Sequence, residues 1–202
     1  MADLHHIVQA IVTVLAVINP VVCGSIFLTL TTKQTLAQRQ RAAVKAALSI
    51  LIILVASALV GLKVLGIFGI SLDVFRVVGG MIIAGFDMLS GRHTVAQAPP
   101  SESDVDVGGS LAPLIMFAAG PGTITAVVTL AAVHTSDSLP LAAIAAAVIG
   151  AGVTFAVLRL AIQLGSHLGK STQVIVTRFM GLIVASMGIQ FVLVGLKAFF
   201  HT

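Results

Sequence analysis

The chain has 202 residues, of which 58% are hydrophobic and 9% charged, with a mean hydropathy of +1.13. Soluble domains carry about 25% charged residues, so a water-facing surface is excluded; stretches 4–32, 107–136 and 138–158 hold no Lys, Arg, Asp or Glu, each longer than a bilayer crossing requires. The net charge of +4 comes without the basic stripe and interleaved aromatics of a nucleic-acid surface.

The first predicted helix covers about 5–31. Asp3, His5 and His6 stand where a signal peptide would be basic, and no small-residue cleavage site follows, so a retained helix is expected. His5 and His6 have no metal-ligand companions and read as surface residues. A straight helix over 4–32 would measure about 43 Å, against roughly 30 Å of hydrocarbon. It must tilt, protrude or break. Pro20 lacks an N–H and clashes with the Ala16 carbonyl, which puts the break there. Asn19 is biased away from helical geometry by the proline that follows, and its amide can serve a carbonyl left without a partner. The single cysteine, Cys23, lies in this helix and excludes an intrachain disulfide.

The second helix is predicted at about 42–63, with the apolar stretch 64–70 either continuing it or lying at the interface. Ser71 reads as the cap of a third helix over about 72–91, with Asp73 in its first turn. Arg76 suits snorkelling at the interface, with gating or substrate neutralisation as the sharper alternative. Asp87 near the far end is a candidate proton relay, weighed against pairing with Arg92 or water. Segment 97–109, with Pro99-Pro100 and three acids, reads as a polar linker between two halves.

The fourth helix, about 110–133, carries Ala119-Gly120-Pro121-Gly122-Thr123 at its middle. Pro121 removes the ladder donor for the Phe117 carbonyl, and the two glycines permit unwound backbone and close approach of a ligand. Such backbone is tolerated at membrane depth only against protein or a water-filled cavity. The fifth and sixth helices are placed at about 139–163 and 176–200, with Arg178 at the start of the sixth under the same readings as Arg76. Gly80 with Ala84, and Gly181 with Ala185, suggest close helix packing.

The expected fold class is therefore an all-α membrane protein of six transmembrane helices forming one membrane domain, with helices 1 and 4 discontinuous. Pro20 and Pro121 are 101 residues apart; Arg76 and Arg178, and Gly79 and Gly181, are 102 apart. Three helices per half then give two inverted repeats, about 4–92 and 110–200, joined by a linker at about 93–109. Lys33, Arg39, Arg41, Lys45, Arg92, Lys170 and Arg178 fall on one side, against Lys63, Arg76 and Lys197 on the other. This places the first group in the cytoplasm and both termini outside.

The second part of each broken helix begins with N–H groups outside the ladder, at 21–23 and 122–124, where a carboxylate is favoured. Each first part ends in carbonyls near 16–18 and 117–119, where an ammonium group or cation is favoured. Asn19, Ser25, Thr123 and Thr125 add side-chain partners, so Asn19, Pro20, Ser25, Gly120, Pro121, Gly122, Thr123 and Thr125 form the candidate substrate site. The bland alternative is that both prolines only kink their helices for packing. No Walker loop, HExxH, G-x-S-x-G or paired-cysteine motif is present, so neither an enzyme nor a bound metal or cofactor is expected.

The stretches INPVVCGSIFLTLT (18–31), FGISLDVFRVVGGMIIAGF (68–86), AGPGTITAVV (119–128) and RFMGLIVASMGIQFVLVGL (178–196) resemble the MarC family, which includes the SnatA-type small neutral amino acid transporters. The resemblance implies a bacterial-type inner-membrane protein that transports glycine- or alanine-like solutes. Asn19, Pro20, Gly120, Pro121, Gly122 and Thr123 match the family's motifs, whereas Val22 and Ser25 stand where Gly and Pro are common and Asp73 replaces a frequent proline. The expectation is a secondary transporter working by alternating access, its partners the lipid bilayer, a small neutral amino acid and, for coupling, a proton or sodium ion. A channel or exporter for another small polar metabolite, and a non-transporting scaffold, are the rival readings. An oligomer is left open.

Overall fold

The computed structural model describes residues 2–90, 111–133, 140–164 and 170–200, all placed among eight α-helices and their joints, with no strand among them. The linker at 93–109 and Arg92 lie outside the described residues, as do the side chains of Asp87 and Arg178. In chain order the helices are α1 (Ala2–Ile18), α2 (Pro20–Leu30), α3 (Leu36–Ile67), α4 (Leu72–Ser90), α5 (Ala112–Ala118), α6 (Pro121–Val133), α7 (Leu141–Leu164) and α8 (Lys170–Phe200). Segments Ile7–Leu30, Leu36–Ile67, Ala112–Ala132, Leu141–Gln163 and Gly181–Phe200 are long and apolar enough to cross a membrane. Helix α4 has 19 residues but carries Asp73, Arg76 and Asp87, so composition alone does not qualify it. The protein is thus a multi-pass, all-helical membrane protein with five to six spanning helices.

Local chemistry sets the helix ends. Thr35 and Gln38 form a reciprocal capping box: Gln38 N–H donates to Thr35 Oγ1 at 3.4 Å, and Thr35 N–H to Gln38 Oε1 at 2.8 Å. Helix α3 therefore starts six residues before the predicted position. Arg39, expected only as a basic marker of orientation, reaches back to donate to the Thr31 and Thr32 carbonyls at 3.0 and 3.1 Å. It closes the end of α2. Helix α3 continues to Ile67 and stops in a two-bond motif, with Ile70 N–H to Leu65 O at 2.9 Å and Gly69 N–H to Gly66 O at 3.1 Å. Gly69 supplies the required left-handed residue, φ 66°. Ser71 then accepts from Val74 N–H at 3.3 Å and starts α4, as its sequence position predicts.

The apolar core is formed by α1, α2, α3, α5, α6 and α7. Small side chains dominate it: Ala42, Ala43 and Ala46 of α3, and Ala142, Ala143, Ala146 and Ala147 of α7, are all buried there. Small residues let helix backbones approach, which supplies the packing that drives association within lipid. Helices α4 and α8 stand outside this core and lie antiparallel against each other. A β-carbon on Gly188 would sit 2.6 Å from Ala84 N and 2.7 Å from Gly80 O, and one on Gly195 would sit 2.6 Å from Asp73 O. Gly80 and Ala84 thus pack closely, as expected. Arg76 Nη1 donates to Asp73 Oδ1 at 3.1 Å, and the Arg76 side chain is largely buried. Asp73 draws it back along its own helix.

Candidate functional site

Asn19 separates α1 from α2. Its φ of 51° and ψ of 70° make it the one non-glycine residue with positive φ among those described. Asparagine tolerates this region better than most residues, because its short amide can bond locally. Its backbone is fully used, N–H to Leu15 O at 3.0 Å and carbonyl from Cys23 N–H at 3.1 Å. Its side chain is not. Asn19 is 6% exposed, and its Oδ1 is buried without a hydrogen-bond partner. Leaving such an oxygen unpaired costs about 1–3 kcal/mol.

The corresponding joint between α5 and α6 is bare backbone. Ala119 N–H closes α5 onto Ile115 O at 2.8 Å, and the ladder of α6 resumes with Ile124 N–H to Gly120 O at 3.0 Å. The Gly122 and Thr123 N–H groups precede that ladder, at the positive end of a 13-residue helix. A β-carbon on Gly120 would strike the Met116 carbonyl, so only glycine fits the turn. The sequence expectation of unladdered N–H groups is too wide at both breaks. Cys23 and Ile124 already donate to Asn19 and Gly120, because each joint carbonyl turns back to accept the first bond of the new helix. The Ile18 carbonyl accepts the Cys23 thiol at 3.3 Å.

The two joints border a cavity of about 100 Å³. Asn19 and Val17 face it from the first joint, and Met116, Phe117, Gly120, Pro121, Gly122 and Thr123 from the second. Ile82 and Ile83 of α4 and Val184 of α8 complete the described lining. Five predicted residues are brought together here: Asn19, Gly120, Pro121, Gly122 and Thr123. Pro20, Ser25 and Thr125 are not among the lining residues. Ser25 Oγ donates to Val21 O at 3.3 Å and Thr125 Oγ1 to Pro121 O at 2.9 Å, so both hydroxyls bond their own helices. Arg76 lies about two turns before Ile82 and Ile83 in α4, paired with Asp73. The apolar wall was not singled out from the sequence. Its signal was a matching offset: Ile82 and Val184 are 102 residues apart, like Arg76 and Arg178.

The sequence profile of the MarC family integral membrane proteins matches residues 4–200. A UPF0056 membrane protein of Buchnera aphidicola from Schizaphis graminum is 33% identical over 203 residues, covering 99% of this chain and 96% of its own. The UPF0056 membrane protein YvbG of Bacillus subtilis is 33% identical over 201 residues, covering 96% and 95%. YhcE of Escherichia coli, named likewise, is 31% identical over 191 residues, covering 92% and 89%. No solved structure matches the chain.

Proposed function

The chain belongs to the MarC family of integral membrane proteins, and we propose that it is a secondary transporter carrying a small neutral amino acid, glycine or alanine in type, by alternating access. The observation that carries this reading is the cavity at the two helix joints, lined by Asn19, whose Oδ1 is buried without a hydrogen-bond partner. A buried polar atom without a partner is expected to have one during the working cycle. The space suits a small solute. It is smaller than the roughly 150 Å³ cavity that takes benzene, and well above the share of a single water.

The chemistry of the lining suits a zwitterion. Helix α6 presents N–H groups and a positive dipole end to an anion, while Asn19 Oδ1 is an acceptor for a cationic donor. Among the described residues no charged side chain lines the cavity, which suits a solute of net charge zero. Solutes with a charged side chain are disfavoured on the same ground.

Alternating access follows from an inverted repeat. Exchange of the halves maps α3 onto α7 and α4 onto α8, and each of these pairs is in direct contact. The first half and the second half share one core, however, so the two repeats do not form separate bodies. We therefore place the moving boundary between that core and the α4–α8 pair, rather than between the halves. In the present arrangement α4 packs closely on α6, through Gly79 against Thr125 and Ile83 against Gly122, whereas α8 barely meets α1 and α2. The asymmetry is what one end of such a cycle requires. With the basic loops inside, both termini face the exterior of a bacterial-type inner membrane.

Uptake of labelled glycine into proteoliposomes tests the reading, with imposed proton or sodium gradients to assign the coupling ion. Gly122→Leu is expected to abolish uptake while leaving protein in the membrane. Undiminished uptake by that variant would remove the proposed site. If no amino acid raises the thermal stability of the purified protein, the scaffold reading wins, since a ligand of the folded state must stabilise it. Non-saturable flux without counterflow favours a channel.

A further inference from the structure

Resting on that transport reading, we propose that the solute's side chain points at Ile83 of α4 and Val184 of α8, and that these two residues set its size limit while Asn19 Oδ1 holds its ammonium group.

Polarity is segregated within the cavity. The polar groups at the described lining come from the joints, at Asn19, Gly120, Gly122 and Thr123, beside apolar Val17, Met116 and Phe117; α4 and α8 contribute only Ile82, Ile83 and Val184. A zwitterion whose ammonium and carboxylate engage the joints then directs its side chain away from them. Asn19 supplies the orienting contact: it is nine-tenths buried, and its unpaired oxygen accepts only from a donor. A carboxylate without an amine has no donor to offer it.

The α4 and α8 part of the lining is stiff. Ile83 is 4% exposed, and a β-carbon on Gly122 would stand 2.5 Å from its Cγ1, so this side chain has no room to retreat towards α6. Isoleucine and valine are both branched at Cβ and restricted at χ1. A wall of this kind yields little to a larger solute, and overfilling it displaces backbone. Within about 100 Å³ the ammonium and carboxylate already take most of the space. Room remains for a hydrogen or a methyl group, and a branched side chain collides with Ile83 or Val184. One methylene in an apolar pocket typically discriminates about 10–200-fold.

The test uses the purified full-length protein in a thermal-shift panel with glycine, alanine, valine, leucine and propionate, on the wild type and on Ile83→Ala and Val184→Ala. The wild type is expected to be stabilised by glycine and alanine, not by leucine or propionate. The two variants are expected to gain valine or leucine relative to glycine by at least about tenfold in affinity. Val184→Ala, which leaves the Gly122 contact intact, carries the test if Ile83→Ala does not fold. A wild type that binds glycine, with folded variants that gain no larger solute, overturns the assignment of this wall but not the transport reading. Propionate matching glycine overturns the role of Asn19. A wild type stabilised by no amino acid overturns both readings.

Discussion

Gly122 and Ile83 meet across the α4–α6 boundary with no space for a methyl group, since a β-carbon on the glycine would stand 2.5 Å from Ile83 Cγ1. Overpacking of this kind costs about 1–3 kcal/mol. Gly122→Ala is therefore expected to lower the unfolding temperature by several degrees, and Ile83→Ala in the same chain to recover most of the loss. Thermal denaturation in detergent reads both. A single variant as stable as the wild type would show that α4 is held against α6 by something other than this contact.

The α4–α8 crossing makes a sharper demand, because the obstruction is backbone. A methyl group at Gly188 would press on Ala84 N and Gly80 O, neither of which can turn aside. Gly188→Ala should separate the two helices, and so should Gly80→Ala, whose β-carbon would strike the Gly188 carbonyl. Gly152 in α7 has nothing within 4 Å of its would-be β-carbon. Gly152→Ala should be neutral or stabilise by up to about 1 kcal/mol, since alanine gives up less backbone entropy in a helix. Comparing the two unfolding temperatures checks the geometry; equal effects would contradict it.

The helices were legible in the sequence because charge is excluded from them, and the joints because proline breaks a ladder wherever it falls. Residues 18–20 and 119–122 were located that way. What escaped was the side of each helix that the site uses. Ser25 and Thr125 looked like solute partners by distance along the chain, but a hydroxyl in a membrane helix readily bonds the carbonyl one turn back, and both do so. Ile82, Ile83 and Val184 carry no polar side-chain atom and resemble any lipid-facing residue until the fold brings them to the cavity that Asn19 also lines. The capping box at Thr35 and Gln38 was present in the sequence, but the basic residues just after it drew the boundary of α3 inward.

That capping box offers a control. Thr35→Ala removes an acceptor for Gln38 N–H at the start of α3, far along the chain from either joint. The expected cost is about 1 kcal/mol of stability, with glycine uptake per folded molecule unchanged. A variant that loses uptake with its stability intact would tie the α2–α3 turn to the transport cycle.

Exchange of the two halves makes a distance prediction for the other end of the cycle. Under the proposed exchange Pro121 pairs with Pro20 and Arg76 with Arg178, 101 and 102 residues apart, and the Gly122–Ile83 contact then pairs with Val21 and Ala185. Here Val21 is 38% exposed, and α8 barely touches α2. If the α4–α8 pair moves across the core, Val21 and Ala185 must approach as Gly122 and Ile83 separate. Cysteines at both positions, in a Cys23→Ala background that still transports, are expected to form a disulfide in membranes, which needs Cα atoms within about 7 Å. Oxidation should then abolish nearly all glycine uptake, and reduction should restore it. Persistent uptake by the cross-linked protein, or no cross-link in a protein that transports normally, would refute the exchange of halves as the basis of transport. A ligand that favours one end of the cycle should change the rate of cross-linking, since it can shift the two populations only by its differential affinity for them.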